Sequence, residues 1–343
     1  MNDEIRTLLQ AGRKIEAIKF VRQQTGTGLK AAKEYVEAVG RGESPAAPAP
    51  APPGGTGCVS VLLLAVLAAA MLASGRGVVA QQDDNQPIAP FRIAGNLYYV
   101  GSSGISSYLV TTPAGHFVID AGYESTVPIV EKNIRTLGFK VEEVRILLNT
   151  QAHYDHAAGF AALKQATGAQ LMVSGADADV IERGGMHDFS FGDAHPFPPA
   201  EVDRRLKDGD TVTLGKVTLH ANVTPGHTRG CTTWTFSVTE NNRELHVVDM
   251  CGLTVLDTTH LVGNAGYPDI VADYERTFAA MRKLPVDIFI GAHPAYYDGT
   301  AKAARLAANP AGPNPFIDPE GYRSYIDTGE KRFREELAKE KGR

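Results

Sequence analysis

Cysteine and tryptophan are scarce, with three cysteines and one tryptophan in 343 residues. So few cysteines exclude a disulfide-built mini-scaffold and a cysteine-rich zinc module. Positive charge is not in excess either. Lys and Arg number 34 against 39 Asp and Glu, a formal net charge of −5. That excludes a nucleic-acid binder working through a basic surface. Glycine (35) and proline (20) are too few for a low-complexity chain, although the prolines cluster. What is there is ordinary: 43% hydrophobic and 21% charged residues, the balance of a soluble protein with a real core. The length suggests about two domains.

Residues 1–43 read as a small helical hairpin. Ile5, Leu8 and Leu9 share one stripe, and Ile15, Ile18, Phe20 and Val21 form a second apolar run. Thr25-Gly-Thr-Gly breaks it, and Leu29, Ala32, Tyr35 and Val36 resume at helical spacing. Residues 44–57 are a stiff Pro/Ala-rich linker. Residues 58–80 hold about 15 apolar residues without a charge, followed by small residues at Val78-Val-Ala. Two readings stand: a signal anchor, with residues 1–57 left in the cytoplasm, or a signal peptide cleaved after export. Both place the remainder in the periplasm, anchored at the inner membrane or released.

Residues 88–343 form the globular body. Strands are expected at 97–100, 106–111, 116–120, 144–149, 217–223, 232–238 and 245–248. Helices are expected at 128–137, 271–284 and 323–341. Strands and helices mix without strict alternation, which predicts sheets covered by outer helices rather than a doubly wound parallel sheet.

The chemistry gathers at strand ends. His153, Asp155 and His156 lie within four residues, directly after a buried strand. His227 follows the strand ending at Val223, in a glycine-rich turn, and His293 follows the strand 288–291. Imidazole and carboxylate are ordinary zinc ligands, and three strand ends can turn them into one cleft. His116, His220 and His246 lie within strands and read as structural. His187 and His195 fall in the loop 184–199, which could border a cleft and is read first as a solvated surface loop. Trp234 reads as core.

Two resemblances follow from these residues. The run from Lys14 to Lys33 resembles part of the C-terminal domain of the bacterial ribosomal stalk protein. Residues 88–300 resemble the metallo-β-lactamase superfamily, and within it the third subclass of class B β-lactamases. That likeness rests on Asn96-Leu-Tyr-Tyr-Val-Gly, Phe117-Val-Ile-Asp-Ala-Gly, Gln151-Ala-His-Tyr-Asp-His and Pro225-Gly-His-Thr-Arg-Gly-Cys-Thr-Thr-Trp. It implies a four-layer αβ/βα sandwich with one or two zinc ions at its edge. It implies a first zinc on Gln151, His153 and His227, and a second on Asp155, His156 and His293. The family usually has histidine where this chain has Gln151, and an amide oxygen is the weaker ligand. The implied reaction is hydrolysis of the β-lactam amide bond of antibiotics by a metal-bound hydroxide, which Asp155 orients. The alternative is another hydrolase of the same fold, a lactonase or a glyoxalase II-like thioesterase. No Ser-x-x-Lys occurs in the body, so no acyl-enzyme is expected. Thr254 and residues 256–266 would line the substrate cleft, and no obligate protein partner is implied.

The segment Val247-Val-Asp-Met-Cys-Gly leaves several readings open. Asp249 is a candidate bridging ligand and Cys251 a candidate zinc ligand, and the segment could be a plain core hairpin. The last reading is a disulfide between Cys231 and Cys251. Pairing across the turn Asn241-Asn242 gives index sums near 483, so Cys231 faces about residue 252, and a slip of one residue brings Cys251 opposite.

Overall fold

The computed structural model describes residues 2–10, 14–25, 29–41, 45 and 84–342. The chain divides into two units, Met1–Val79 and Ala80–Arg343. The apolar segment 58–80, expected to be the export or anchor element, lies outside the described residues, as does most of the linker 44–57. Among the described residues no helix is long and apolar enough to cross a membrane.

The first unit holds three helices where a hairpin was expected: α1 (Asn2–Gln10), α2 (Lys14–Thr25) and α3 (Leu29–Gly40). The stripe of Ile5 and the run containing Val21 belong to separate helices, with the helix-breaking Gly12 between them in sequence. Their apolar faces close on one another. Ile5, Ala17, Val21, Ala32, Tyr35, Val36 and Val39 are buried together. The Tyr35 hydroxyl donates to Asn2 Oδ1 at 2.7 Å, fastening α3 to the start of α1.

The second unit is built on two sheets. The larger has seven strands in the order β1 (Phe91–Ala94), β2 (Leu97–Tyr99), β3 (Tyr108–Thr112), β4 (Gly115–Ile119), β5 (Val144–Leu148), β6 (Gln170–Ser174) and β7 (Arg204–Leu206). Pairing is antiparallel from β1 to β4 and parallel from β4 to β7. The parallel half needs crossovers. Helices α4 (Val127–Thr136), α5 (Tyr154–Ala157), α6 (Phe160–Thr167) and α7 (Gly175–Glu182) lie in those connections. The smaller sheet has β8 (Thr211–Leu214), β9 (Val217–Val223), β10 (Thr232–Glu240), β11 (Arg243–Met250) and β12 (Ile288–Gly291), of which only β11 and β12 are parallel neighbours. The remaining helices are α8 (Ile270–Met281), α9 (Gly299–Ala308) and α10 (Pro319–Lys341).

Two apolar clusters define the layers. One lies between the sheets and reaches α8 and α10, joining Tyr99, Phe117, Leu148, Trp234, Phe289 and Phe333. The other fills the outer face of the larger sheet, joining Leu109, Val118 and Leu147 to Val130, Ile134, Phe160, Leu163 and Ile181 of α4, α6 and α7. The result is helix, sheet, sheet, helix. β4 and β5 bury every residue but Arg145, as strands covered on both faces must. Trp234 is core, as expected, and its Nε1 donates to the Asn149 carbonyl at 3.0 Å, just before the histidine-bearing loop.

The hairpin β10–β11 keeps a constant index sum of 483, from Glu240 opposite Arg243 to Trp234 opposite Asp249. Asn241 and Asn242 both take positive φ, 51° and 59°, as a two-residue turn of this twist requires.

A candidate metal centre at the strand ends

The cleft lies where strands from both sheets end. β4 delivers Asp120, β5 delivers residues 149–156, the β9–β10 turn delivers His227, and β12 delivers His293. After β5 the chain turns sharply into α5, whose four residues Tyr154–Ala157 follow His153. The backbone amides of His156 and Ala157 both donate to the His153 carbonyl. That single turn swings Asp155 and His156 toward the same space as His153. In the β9–β10 turn, Gly226 has φ +137°, and a Cβ there would stand 2.8 Å from the Tyr274 ring. Only glycine fits, and it lets the turn lie flat against α8 with His227 aimed inward.

Asp155, His156 and His293 form the tightest group: one ligand atom from each lies within 4.8 Å of the others. His156 Nε2 is 3.0 Å from His293 Nε2 and 3.2 Å from Asp155 Oδ2, and His293 Nε2 is 3.4 Å from the same oxygen. His153 and His227 face each other with ring centres 4.7 Å apart.

The ring orientations are set from behind. His227 Nδ1 is 2.7 Å from the Thr254 carbonyl, and His293 Nδ1 is 3.0 Å from the Gly104 carbonyl. A carbonyl oxygen only accepts, so both Nδ1 atoms carry the proton and both Nε2 atoms offer a lone pair to the cleft. His156 Nδ1 stands 3.2 Å from the Asp120 carboxylate. Carboxylates and carbonyls in this position are what metal-ligating histidines use to fix tautomer and angle. Asp120 was not singled out from the sequence. It is buried, with φ +59°, and accepts from the Thr150 amide at 2.7 Å and the Thr150 hydroxyl at 2.6 Å.

Charge in the cleft follows from burial and neighbours. Burial disfavours the imidazolium of His153 and lowers it to about 4, and burial with His153 beside it lowers His227 to about 3. Both are neutral near pH 7, the form a metal needs. Burial works against the Asp155 carboxylate, yet His156 and His293 overcome it and hold Asp155 well below the usual carboxylate range. Burial likewise works against a charged His156, but Asp155 and Asp120 push it up to about 10.

Two buried atoms make the case for a metal at the first group. Gln151 Oε1 and His153 Nε2 are enclosed and have no hydrogen-bond partner among the described residues. Gln151 is fully buried, and its amide nitrogen reaches only the Cys251 carbonyl, at 3.4 Å. An oxygen and a nitrogen lone pair left facing one cleft cost free energy unless something binds them. A zinc ion would satisfy both, held by the two imidazoles of His153 and His227 and, more weakly, by the Gln151 amide oxygen.

The cleft is about 610 Å³, lined also by Tyr154, Phe191, Thr254, Leu256 and Tyr296. A larger cavity of about 940 Å³ lies between α10 and residues 253–260. It shares Thr254, Leu256 and Tyr296 with the cleft but touches none of the six candidate ligands. Thr254 lines both cavities, and its carbonyl also holds His227. The loop 184–199 differs from expectation. Phe191 packs edge-on against His153 at 4.9 Å, and His195 stacks on Tyr154 at 4.1 Å. The loop holds three phenylalanines, and of these Phe191 covers the rim of the cleft while Phe189 packs on Tyr267. His116 is structural, buried 3.7 Å from Glu143, and His220 and His246 are exposed on strands.

Asp249 is fully buried at the end of β11, lines no part of the cleft, and has no hydrogen-bond partner for either oxygen among the described residues. Burial, and Asp120 nearby, push its carboxyl far up. Cys231 and Cys251 are in bonding contact, Cα atoms 5.8 Å apart. Cys231 lies three residues before the first β10–β11 pair, Trp234 opposite Asp249, and meets Cys251 across the open end of the hairpin.

Residues 100–293 match the model of the metallo-β-lactamase superfamily. Among solved structures the chain is similar to FEZ-1, a metallo-β-lactamase from Legionella gormanii, at 40% identity. That match covers 75% of this chain and 98% of that one, with a TM-score of 0.73. It is similar to BJP-1, a subclass B3 metallo-β-lactamase of Bradyrhizobium japonicum, at 37% identity, covering 77% and 99% with a TM-score of 0.72. Curated relatives match over less. A probable metallo-hydrolase of Burkholderia pseudomallei is 37% identical over 91 residues, 26% of this chain and 31% of that protein. The hydroxyacylglutathione hydrolase of Rhodospirillum rubrum is 34% identical over 95 residues, 28% and 29% respectively. The chain thus spans under a third of the length of these curated relatives. The four-layer sandwich, the histidines at its strand ends and the matched span agree, and the chain belongs to the metallo-β-lactamase superfamily.

Proposed function

We propose that the chain is a zinc-dependent hydrolase of the β-lactam amide bond, acting on antibiotics in the periplasm. The observation that carries the reading is the 40% identity with FEZ-1 over 98% of that chain, together with a cleft lined by Gln151, His153, Asp155, His227 and His293, with His156 against the last of these. Gln151, His153 and His227 would hold one ion, and Asp155, His156 and His293 the other. Zinc bound there lowers the pKa of water from 15.7 toward about 7 and so supplies a nucleophile at neutral pH.

The chain's own residues do the rest. Asp155, kept ionised by His156 and His293, accepts a hydrogen bond from the attacking water and fixes its direction toward the carbonyl. His227 and His293 cannot rotate away, because their Nδ1 protons are committed to Thr254 and Gly104. Phe191, Leu256 and Tyr296 give the cleft apolar walls, which suit the substituents of a bicyclic amide and exclude bulk water. Ser103, Thr254 and Thr300 add polar groups to the lining. A volume of about 610 Å³ falls within the usual range for small-molecule sites.

A second reading, a thioesterase like the hydroxyacylglutathione hydrolases, draws support from the curated matches, which cover under a third of those proteins. Turnover separates the two. A penicillin, a cephalosporin and a carbapenem should be hydrolysed with kcat/KM at least about 100-fold above that for a glutathione thioester or a lactone. A ratio the other way round rejects the β-lactamase reading.

Export through residues 58–80 places the body in an oxidising compartment, where Cys231 and Cys251 would be joined. The bond closes a separation of 20 residues, worth roughly 3 kcal/mol in the entropic model and less here, because β10 and β11 already hold the ends together. Cys251→Ser should therefore lower stability by about 1–3 kcal/mol and activity only modestly. A zinc-ligating Cys251 would instead lose nearly all activity. Thiol titration of the denatured, unreduced exported protein should find neither thiol free.

A further inference from the structure

Asp177 lies in α7, a helix that carries no candidate ligand, yet its carboxylate reaches two of the three segments that do. It is 1% exposed. Its Oδ2 accepts from the Ala152 amide at 2.9 Å and from the Thr228 hydroxyl at 2.8 Å, and its Oδ1 accepts from the Gly230 amide at 2.7 Å. Ala152 stands between Gln151 and His153, and Thr228 follows His227. One buried carboxylate therefore ties together the two stretches of chain that bring all three first-group ligands. The approach is close. A Cβ on Gly230 would fall 2.0 Å from Ser174 Oγ and 2.7 Å from the Asp177 carboxyl carbon. The Ser174 hydroxyl donates to the Gly230 carbonyl at 2.6 Å, so both ends of that peptide are held.

The second group is anchored elsewhere. His156 leans on Asp120 and His293 on the Gly104 carbonyl, and neither contact involves Asp177. The direct contacts behind His156 and His293 are thus distinct from those of Asp177, although Asp155 and His156 follow Ala152 in the same loop.

We propose that Asp177 is the positioning residue of the first metal site: it sets the zinc affinity of Gln151, His153 and His227 without setting that of the second site. The inference rests on the two-site reading given above. The physical reason is the weakness of the Gln151 amide as a ligand. A site with one weak donor depends on having its three donors already in place, since little binding energy is left over to assemble them. Partners one layer behind a metal typically change affinity by 10–100-fold.

The test is zinc titration of the metal-free, full-length chain against a chromophoric chelator. The wild type should bind two zinc ions with unequal affinity. Asp177→Asn keeps the volume but can no longer accept from all three donors. It should weaken the weaker site by about 10–100-fold and leave the tighter site unchanged. Thr228→Val removes one of the three contacts and should weaken the same site by less. A role confined to stability would lower both affinities together, or neither, and either result overturns the proposal. Should Asp177→Asn fail to fold, Thr228→Val decides alone: a selective loss at the weaker site supports the proposal, and unchanged or equally reduced affinities overturn it. A wild-type chain that binds no zinc removes the two-site reading and the proposal with it. Two zinc ions in the wild type and in both variants, with unchanged affinities, remove only the proposal.

Discussion

Exhaustive chelation is expected to reduce β-lactam hydrolysis to background, and added zinc to restore it. Without metal the cleft holds no nucleophile strong enough at neutral pH. Water with a pKa of 15.7 would have to be deprotonated by Asp155, whose carboxylate is held well below the usual range and is a correspondingly poor base. His153 and His227, lowered to about 4 and 3, are poor bases too. His156, pushed up to about 10 by Asp155 and Asp120, keeps its proton at pH 7 and has no lone pair free to receive another. No Ser-x-x-Lys in residues 88–343 offers a covalent route. The metal-free chain should nevertheless stay folded, because both apolar clusters close without any of the six ligands. Loss of activity with an intact near-ultraviolet spectrum is therefore the expected result. Undiminished turnover, with absence of metal confirmed by elemental analysis, would reject metal dependence.

The parts of the site that could be read in the sequence are those whose position follows from a strand end. Buried strands such as β5 and β12 are short apolar runs, and a histidine directly after one has a defined place at the sheet edge. That is why His153, Asp155, His156, His227 and His293 were legible. The buried carboxylates behind them were not. Asp120 and Asp177 sit in Val-Ile-Asp-Ala and Gly-Ala-Asp-Ala, contexts shared with any exposed turn or helix residue. Their partners lie 25 to 53 residues away in sequence, at Thr150, Ala152, Thr228 and Gly230, and only the packed fold brings them near. A signal was present for Phe191, since aromatic residues in a polar loop tend to have a surface to cover, but the surface itself is not in the sequence. The hairpin register was legible because the turn chemistry of Asn241-Asn242 fixes it from its own end. The third N-terminal helix was missed for the opposite reason. Two short apolar runs can belong to one helix or two, and only the burial of both faces on α3 decides.

The six candidate ligands should not be equally costly to remove. Alanine at Asp155, His156 or His293 is expected to lower kcat/KM by more than the 10–100-fold typical of outer-layer partners, and Gln151→Ala by clearly less. The second group keeps three strong donors whose ligand atoms already lie within 4.8 Å of one another. Removing any one leaves two, too few for a stable site, and strands the others in burial. Without Asp155 the second group loses its carboxylate donor, and the cleft loses the group that would direct the water. The first group already has a weak member. Gln151 Oε1 is buried and unpartnered, so alanine there removes a modest ligand together with an atom that is costly to leave bare. Gln151→His should act in the opposite sense and raise zinc occupancy of the first site, since imidazole binds zinc better than an amide. The Asn149 side chain donates to the Gln151 carbonyl at 2.6 Å, a backbone contact that either substitution leaves in place, so the loop itself should not move. Parallel zinc titrations and steady-state rates separate the terms. An equal or greater loss for Gln151→Ala than for His293→Ala would show that the first site, not the second, limits catalysis, and a Gln151→His chain that binds no more zinc than the wild type would show that position 151 is not a ligand.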